Sequence, residues 1–141
     1  SLNFIVGHWV NYEFAGKEVR SVPLRENSLG CQWRTNHYLC HTELNDKSIL
    51  ASSYSRFERM EELVTSHEHS NEEDALSQVQ RLLFDNARED LPILRKFVWD
   101  QKMGVEIGTI CALVMCLREK KLLATRGSPL HAPNFVSFSV L

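Results

Sequence analysis

The sequence predicts an α+β fold, because strand-like patterns stand in its first and last thirds and helical patterns stand between them. Val10, Tyr12 and Phe14 alternate with polar residues, which is the period of two expected of a half-buried strand. Apolar residues recur at helical spacing in the middle of the chain, and a very apolar run and a last alternating segment follow. This order favours antiparallel strands that pack against helices on one face.

A strand over 1–6 and three further strands are predicted before the helices. Ala15-Gly16-Lys17 forms a turn, and the segment 19–24 returns antiparallel to the strand over 10–14 before Pro23 ends it. A second turn is expected at 26–30. The segment 31–39 then supplies the last of these strands, with Asn36 on one face and His37 on the other.

Two helices are predicted next. The first has an apolar stripe with helical spacing made of Tyr54, Phe57, Met60, Leu63 and Val64. The second begins after Ser70-Asn71-Glu72-Glu73, which has the form of a capping box. Its apolar stripe consists of Ala75, Leu76, Val79, Leu82 and Leu83. Asp90-Leu91-Pro92 interrupts this second pattern.

The last third predicts a hairpin over residues 104–126. It has a strand over 109–117, a charged turn at 118–121 and a strand over 122–125. Val136, Phe138 and Val140 indicate a final strand. Because the sequence contains no repeat, low-complexity segment or linker, residues 1–141 are predicted to form a single unit.

Composition excludes several classes of function. The net charge of −2 gives no electrostatic reason to bind nucleic acid or an anionic membrane. The longest apolar run, 110–117, is too short to span a membrane. The four cysteines form no C-x-x-C pair, and His67 and His69 do not converge on a helix. We therefore expect no metal and no cofactor.

Thr35-Asn36-His37-Tyr38 is the stretch that points to chemistry. A buried asparagine amide at the end of a strand can donate to an oxygen that becomes negative during acyl transfer. The alternative is that Asn36 caps a turn through its own backbone. The chain supplies no evident nucleophile, since Cys40 and His41 are neighbours at a strand end and would point apart.

These residues, followed by Ser53-Tyr54-Ser55-Arg56, resemble the acyl-coenzyme A:6-aminopenicillanic acid acyltransferase family. The segments 4–7 and 12–14, Gly108-Thr109-Ile110 and Gly127-Ser128-Pro129 are also similar to that family. The resemblance spans nearly the whole chain but only the C-terminal part of the family's length. We therefore expect the chain to be the C-terminal segment of a larger enzyme.

The resemblance implies an N-terminal-nucleophile hydrolase with a four-layer αββα sandwich fold. In that family a precursor cleaves itself before a cysteine, which then attacks amides or thioesters with its own α-amine as the base. Asn36 falls on the position that donates to the oxyanion. The nucleophilic cysteine would lie upstream of this chain, so the isolated chain would be inactive.

Ser53, Arg56 and Arg95 are the expected substrate-binding or site-supporting residues. Ser53 and Arg56 lie at i and i+3 on one helix face. The resemblance implies that they buttress the site or meet an anionic part of the substrate. The alternative is that Ser53 caps the helix and Arg56 is solvated. Around Arg95 the family's serine and cysteine are replaced by Pro92 and Leu94, which favours a hydrolase over penicillin-type chemistry.

The leading hypothesis is a cysteine-dependent amidohydrolase or acyltransferase that forms an acyl-cysteine intermediate. The substrate is expected to resemble either that of β-alanyl-amine hydrolases or that of penicillin acyltransferases. The expected partners are a small-molecule amide or acyl-coenzyme A-type substrate and the N-terminal remainder of the same protein, with no nucleic acid and no membrane.

The alternative hypothesis is a non-catalytic binding or assembly module, or an inactive relative, that uses the apolar strand 109–117 as an interaction surface. An intracellular location is expected, either cytoplasmic or peroxisomal. The terminal Ser139-Val140-Leu141 lacks the basic middle residue of a peroxisomal signal.

Overall fold

The computed structural model of the protein describes residues 3–6, 11–23, 31–66, 74–88, 92–116 and 118–139. The chain divides into two compact units, Ser1–Leu82 and Leu83–Leu141. The described elements are helices and antiparallel strands, which confirms the α+β class. The single unit stays a prediction. Among the described helices, none combines the length and the apolar character needed to cross a membrane.

The first unit contains two pairs of antiparallel strands. Strand β1 (Asn3–Val6) pairs with β4 (Cys31–Arg34), and β2 (Asn11–Ala15) pairs with β3 (Glu18–Val22). Gly16 has φ 61° in the turn between β2 and β3, a left-handed conformation that glycine adopts without steric cost. The predicted hairpin is therefore confirmed, and β3 ends just before Pro23. The predicted turn at 26–30 lies outside the described residues.

Strand β2 buries the opposite face from the one that its alternation predicts. Tyr12 and Phe14 are 57% and 65% exposed, whereas Glu13 is only 3% exposed. The pattern failed here because the Glu13 carboxylate has partners in the folded chain, so its burial does not leave an unpaired charge.

The predicted strand over 31–39 is too long, since β4 ends at Arg34. From Asn36 to His41 the backbone N–H groups bond to side chains and not to a neighbouring strand. Side-chain acceptors thus replaced the strand ladder, and the segment folds as a loop.

Helix α1 (Lys47–Ser66) supplies much of the core of the first unit. The predicted apolar stripe is confirmed, and the members buried here are Phe57, Met60, Leu63 and Val64. The Phe57 ring packs against the ring of Trp33 on β4, with 6.1 Å between the two ring centroids. A short 3-10 helix (Thr42–Leu44) precedes α1.

Helix α2 (Ala75–Leu83) belongs to the first unit except for its last residue. The Oδ1 of Asp74 accepts the backbone N–H of Leu76 at 2.9 Å and of Ser77 at 3.1 Å, so Asp74 caps the helix. The predicted capping box at 70–73 lies outside the described residues. Leu82 is the buried member of the predicted stripe, whereas Leu76 is exposed.

The second unit contains a hairpin that the sequence reading missed and a three-stranded sheet. The hairpin pairs β5 (Val98–Asp100) with β6 (Val105–Ile107) around Gly104, which has φ 63°. The sheet has the order β7 (Leu113–Cys116), β8 (Lys121–Thr125), β9 (Phe135–Ser139). The predicted hairpin and final strand are confirmed, but the strand expected over 109–117 begins only at Leu113.

Candidate active site

The loop from Thr35 to His41, called the site loop below, is fixed by side chains from three different parts of the chain. Ser53 is the first of these. Its Oγ accepts the backbone N–H of Asn36 at 2.7 Å and of His37 at 3.0 Å. Ser53 lies inside α1 and is buried, so the alternative that it caps the helix is wrong. Its hydroxyl instead anchors the first half of the site loop.

Asn45 fixes the middle of the site loop. Its Oδ1 accepts the backbone N–H of Tyr38 at 2.8 Å, and its Nδ2 donates to the Tyr38 carbonyl oxygen at 2.8 Å. The amide therefore pairs with both polar backbone groups of one residue. The Tyr38 hydroxyl in turn donates to the Phe14 carbonyl oxygen at 3.3 Å, which ties the loop to β2.

Glu13 fixes the second half of the site loop. Its Oε1 accepts the backbone N–H of Leu39 at 2.6 Å, and its Oε2 accepts those of Cys40 at 2.7 Å and His41 at 3.3 Å. The Arg34 guanidinium forms an ion pair with Oε1. One buried carboxylate thus contacts three consecutive N–H groups and a cation.

The pKa of Glu13 is lowered. Burial acts to raise this pKa, but the N–H groups of Leu39 and Cys40 and the charge of Arg34 act against it and prevail. The carboxylate is therefore ionised throughout the neutral range, and the acceptors that the site loop needs are present there.

His37 is a buried histidine whose ring lies against two hydroxyl groups. Its Nδ1 lies 3.0 Å from both Thr35 Oγ1 and Ser53 Oγ. Ser53 Oγ already accepts two N–H groups, so its hydroxyl is placed to donate to an unprotonated Nδ1. Burial and the positive charges of Arg34 and Arg56 lower the pKa of His37, although Glu13 acts to raise it.

Aromatic rings enclose the His37 imidazole. The Tyr54 ring stacks on it with centroids 4.1 Å apart, and the Phe57 ring meets it edge-on at 5.1 Å. Both rings belong to α1, one and four residues beyond Ser53. The helix that supplies the hydroxyl anchor therefore also supplies the apolar walls.

Asn36 follows β4 by two residues and is exposed, so the expectation of a buried asparagine at the end of a strand is wrong. Its backbone N–H is nevertheless fixed by Ser53, and the residue on either side of it is buried. Asn36 therefore lies at the surface on a backbone that is held in place.

The two arginines lie in different units. Arg56 is half-buried on α1, donates its Nε to the Ser52 carbonyl oxygen at 3.1 Å, and influences the pKa of His37. Arg95 belongs to the second unit, where its backbone N–H donates to Thr109 Oγ1 at 2.9 Å. The structure therefore brings Asn36 and Ser53 together, with Arg56 close to them.

Among the described residues, three cysteines have free thiols: Cys40, Cys111 and Cys116. Cys40 on the site loop is half-buried and donates its thiol to the Ser21 carbonyl oxygen at 3.5 Å. Cys111 and Cys116 belong to the second unit. Across the part of the chain that the structure describes, no group of three or more His, Cys, Asp or Glu residues could hold a metal ion. His67 and His69 lie outside that part.

A cleft of about 390 Å³ lies beside the site loop, between it and the turn after β2. Tyr38 and His41 contribute to it from the loop, and Gly16 from the turn. Arg20 crosses this region and forms ion pairs with Glu18 at 3.0 Å and Glu43 at 3.3 Å. The acidic groups of the cleft are thus already paired with a cation.

Sequence reasoning missed Glu13, Arg34 and Asn45. Glu13 and Leu39 are 26 positions apart, and Glu13 and Arg34 are 21 positions apart, whereas Asn45 is seven positions from Tyr38. Glu13 falls on the polar side of the alternation in β2, which predicts a residue that faces solvent. Nothing in the sequence pairs it with the site loop.

Comparison with known proteins bears directly on this arrangement. The profile of the Acyl-coenzyme A:6-aminopenicillanic acid acyl-transferase family matches residues 5–131 of the 141 in the chain. The chain belongs to this family. Membership confirms the resemblance drawn from Thr35-Asn36-His37-Tyr38, and it indicates a function of the acyltransferase or N-terminal-nucleophile-hydrolase type. All four predicted site residues fall within the matched range. No curated protein matches the chain.

Proposed function

We propose that the chain is the C-terminal segment of a cysteine-dependent amidohydrolase or acyltransferase, in which Asn36 stabilises the oxyanion. The observation that carries the proposal is the site loop: Asn36 is exposed while its backbone N–H is anchored by a buried hydroxyl. Family membership supplies the class of reaction.

The proposed reaction begins with attack of a cysteine thiolate on the carbonyl carbon of an amide or thioester. A carbon–sulfur bond forms, and the carbonyl electron pair moves to the oxygen. The Asn36 side-chain amide donates an N–H to this oxygen. Donors of this kind stabilise the transition state most when they are held in place before the reaction, because no reorganisation is then needed.

The tetrahedral intermediate then collapses. The carbonyl re-forms, the bond to the amine or thiol breaks, and the leaving group takes a proton from the α-ammonium group of the cysteine. An acyl-cysteine remains. Water or a second amine attacks it in the same manner, which restores the thiol and gives hydrolysis or acyl transfer respectively.

The nucleophilic cysteine is proposed to lie in the N-terminal remainder of the parent protein and to be released by self-cleavage. Cys40 is a poor candidate for this role, because its half-buried thiol already donates to a backbone carbonyl oxygen. In this proposal, the two units and that remainder build an αββα sandwich, and the isolated chain is inactive.

Ser53 supports the site in this proposal, and Arg56 and Arg95 meet an anionic part of the substrate or support the site. The half-buried position of Arg56 near His37 is compatible with either role. The proposed substrate is a small-molecule amide or an acyl-coenzyme A-type thioester. The replacement of the family's serine and cysteine by Pro92 and Leu94 favours hydrolysis of an amide.

The second candidate is a non-catalytic binding or assembly module, and one observation favours it. Ile110, Leu113 and Met115 are large apolar residues that are more than half exposed in the segment expected to form an interaction surface. The same exposure is expected of an enzyme segment separated from the rest of its sandwich. Activity of the parent protein distinguishes the two candidates.

The test uses the protein produced from its native full-length gene. Intact mass determines whether it is cut immediately before a cysteine. Hydrolysis of a panel of N-acyl amines and acyl-coenzyme A thioesters is then measured for the wild type and for Asn36→Ala. We expect kcat to fall by about 10²–10³, which is the usual effect of removing one oxyanion donor.

Asn86→Ala is the matched control, because Asn86 is an exposed asparagine in the second unit. It should keep the activity of the wild type. An uncut protein that hydrolyses none of the panel would contradict the enzyme proposal and favour the binding module. A cut, active protein whose Asn36→Ala variant keeps its kcat would contradict the role of Asn36 alone.

A further inference from the structure

We propose that Glu13 is a positioning residue of this site, which fixes the second half of the site loop and thereby the orientation of Asn36. The inference rests on the proposed function. Glu13 does not contact the reacting atoms in this proposal. It acts through the backbone of the site loop, which carries the Asn36 side chain. Its contacts with the loop and with Arg34 carry the argument.

The hydrogen bonding of the site loop is unusual for its completeness. Every backbone N–H from Asn36 to His41 donates to a side chain, and three residues supply all the acceptors: Ser53 for two, Asn45 for one and Glu13 for three. A surface loop ordinarily leaves such groups to water. The arrangement fixes the path of the backbone residue by residue.

A carboxylate has a property that this loop requires. It accepts hydrogen bonds at two oxygens and donates none, and here each oxygen is used. Oε1 accepts hydrogen bonds from Leu39 N–H and from the Arg34 side chain, and Oε2 accepts those of Cys40 N–H and His41 N–H. A glutamine in the same place would present one oxygen and one NH₂ group, so half of the contacts would face a donor.

A buried carboxylate also carries a cost, because burial removes it from water. The Arg34 side chain offsets this cost by placing a positive charge beside Oε1. Arg34 is the last residue of β4 and stands immediately before the site loop. The ion pair therefore links β2 to the start of the loop, while the N–H contacts link β2 to its end.

Ser53 and Glu13 are therefore expected to hold different parts of the site loop. Ser53 holds Asn36 and His37 directly, and Glu13 prevents the end of the loop from moving away from β2. Loss of the Glu13 contacts should leave the chain folded and bound to substrate but displace the oxyanion donor. Displacements of about 1 Å in catalytic groups lower rates by as much as about 10²-fold.

The test is Glu13→Gln in the full-length protein, with Glu58→Gln as the matched control. Glu58 is an exposed glutamate on α1. We expect kcat per folded molecule to fall by about tenfold or more in Glu13→Gln with little change in KM. Glu58→Gln should retain both.

Hydrogen–deuterium exchange supplies a readout that does not depend on activity. In Glu13→Gln the amides of Leu39, Cys40 and His41 should exchange faster, while those of Asn36 and His37 should stay protected by Ser53. Should Glu13→Gln fail to fold, Glu13→Asp serves instead. It keeps the charge but retracts it by one methylene, and the same changes are expected at smaller size.

The outcomes separate this inference from the proposed function. Loss of activity in Asn36→Ala with full kcat in Glu13→Gln would overturn the positioning role and leave the proposed function standing. Unchanged exchange at Leu39 to His41 would overturn the positioning role as well. A wild-type protein without activity on any amide or thioester would overturn both.

Discussion

His37 lies between two hydroxyl groups and two aromatic rings, and its environment sets its charge. Burial removes the imidazolium from water, and Arg34 and Arg56 repel it, while the attraction of Glu13 is too small to compensate. The pKa of His37 is therefore lowered. An unprotonated Nδ1 can also accept a hydrogen bond from the Ser53 hydroxyl, whose oxygen lies 3.0 Å away.

We expect His37 to titrate at a lower pH in the folded protein than in the denatured one. Below about pH 6.5, the unfolded state binds this proton before the folded state does, so the free energy of unfolding should fall as the pH falls. The contribution of His37 is fully present above that pH. NMR titration of labelled histidine, with the protein in urea as the reference, measures both midpoints.

A folded-state midpoint equal to or above the denatured one would contradict the assignment of a neutral His37. It would also remove the reason to place the Ser53 hydroxyl hydrogen on Nδ1. A variant such as His37→Gln, which does not titrate, should show a weaker loss of stability between pH 7 and pH 5 than the wild type.

At the scale of elements, two hairpins turn on glycines with left-handed backbones. Gly16 joins β2 to β3, and Gly104 joins β5 to β6. A Cβ added at Gly16 would meet no atom within 4 Å, so only the backbone conformation restricts the choice of residue there. The β2–β3 turn matters to the site, because Glu13 stands on β2.

Gly16→Ala is expected to lower the free energy of unfolding by about 1 kcal/mol, which is the usual cost of a Cβ in the left-handed region. Gly16→Asn is the matched variant, since asparagine tolerates this conformation better, and it should cost less. Chemical denaturation measures both. Equal losses for the two substitutions would show that the backbone angle at this turn does not determine the cost.

At the scale of the whole molecule, large apolar side chains remain exposed on the three-stranded sheet. Register places Leu113, Ala124 and Val136 in one row across the sheet and Met115, Leu122 and Phe138 in the next, all on one face. Met115 is 71% exposed and Phe138 is 51% exposed. On the opposite face the Phe135 ring lies 5.6 Å from the Phe84 ring, between centroids, while Ser137 and Ser139 are exposed.

The isolated chain is therefore expected to self-associate. Replacing Met115 and Phe138 with Lys and Glu should shift it towards monomer, whereas Ser137→Lys on the other face should not. Sedimentation velocity measures the distribution. A monodisperse monomer of the unmodified chain would contradict the proposal that another part of the parent protein covers this face.

Sequence patterns correctly predicted the elements that are stabilised by residues close together in the chain. The stripe ending in Met60, Leu63 and Val64 predicted α1, and Gly16 with Pro23 predicted the β2–β3 hairpin. The β5–β6 hairpin was missed because each strand is only three residues long. Thr35-Asn36-His37-Tyr38 was informative because it resembles a family motif.

The sequence by itself predicted the α+β class and the family, and it singled out Asn36 and Ser53 as candidate site residues. Only the tertiary structure decided what fixes them. Strand β4 ends at Arg34, and the aromatic side chains of β2 are exposed. The buried Glu13 carboxylate accepts the backbone N–H groups of Leu39, Cys40 and His41. Periodicity reports the local preference of a segment, whereas a buried carboxylate is stable only where the fold brings distant donors to it.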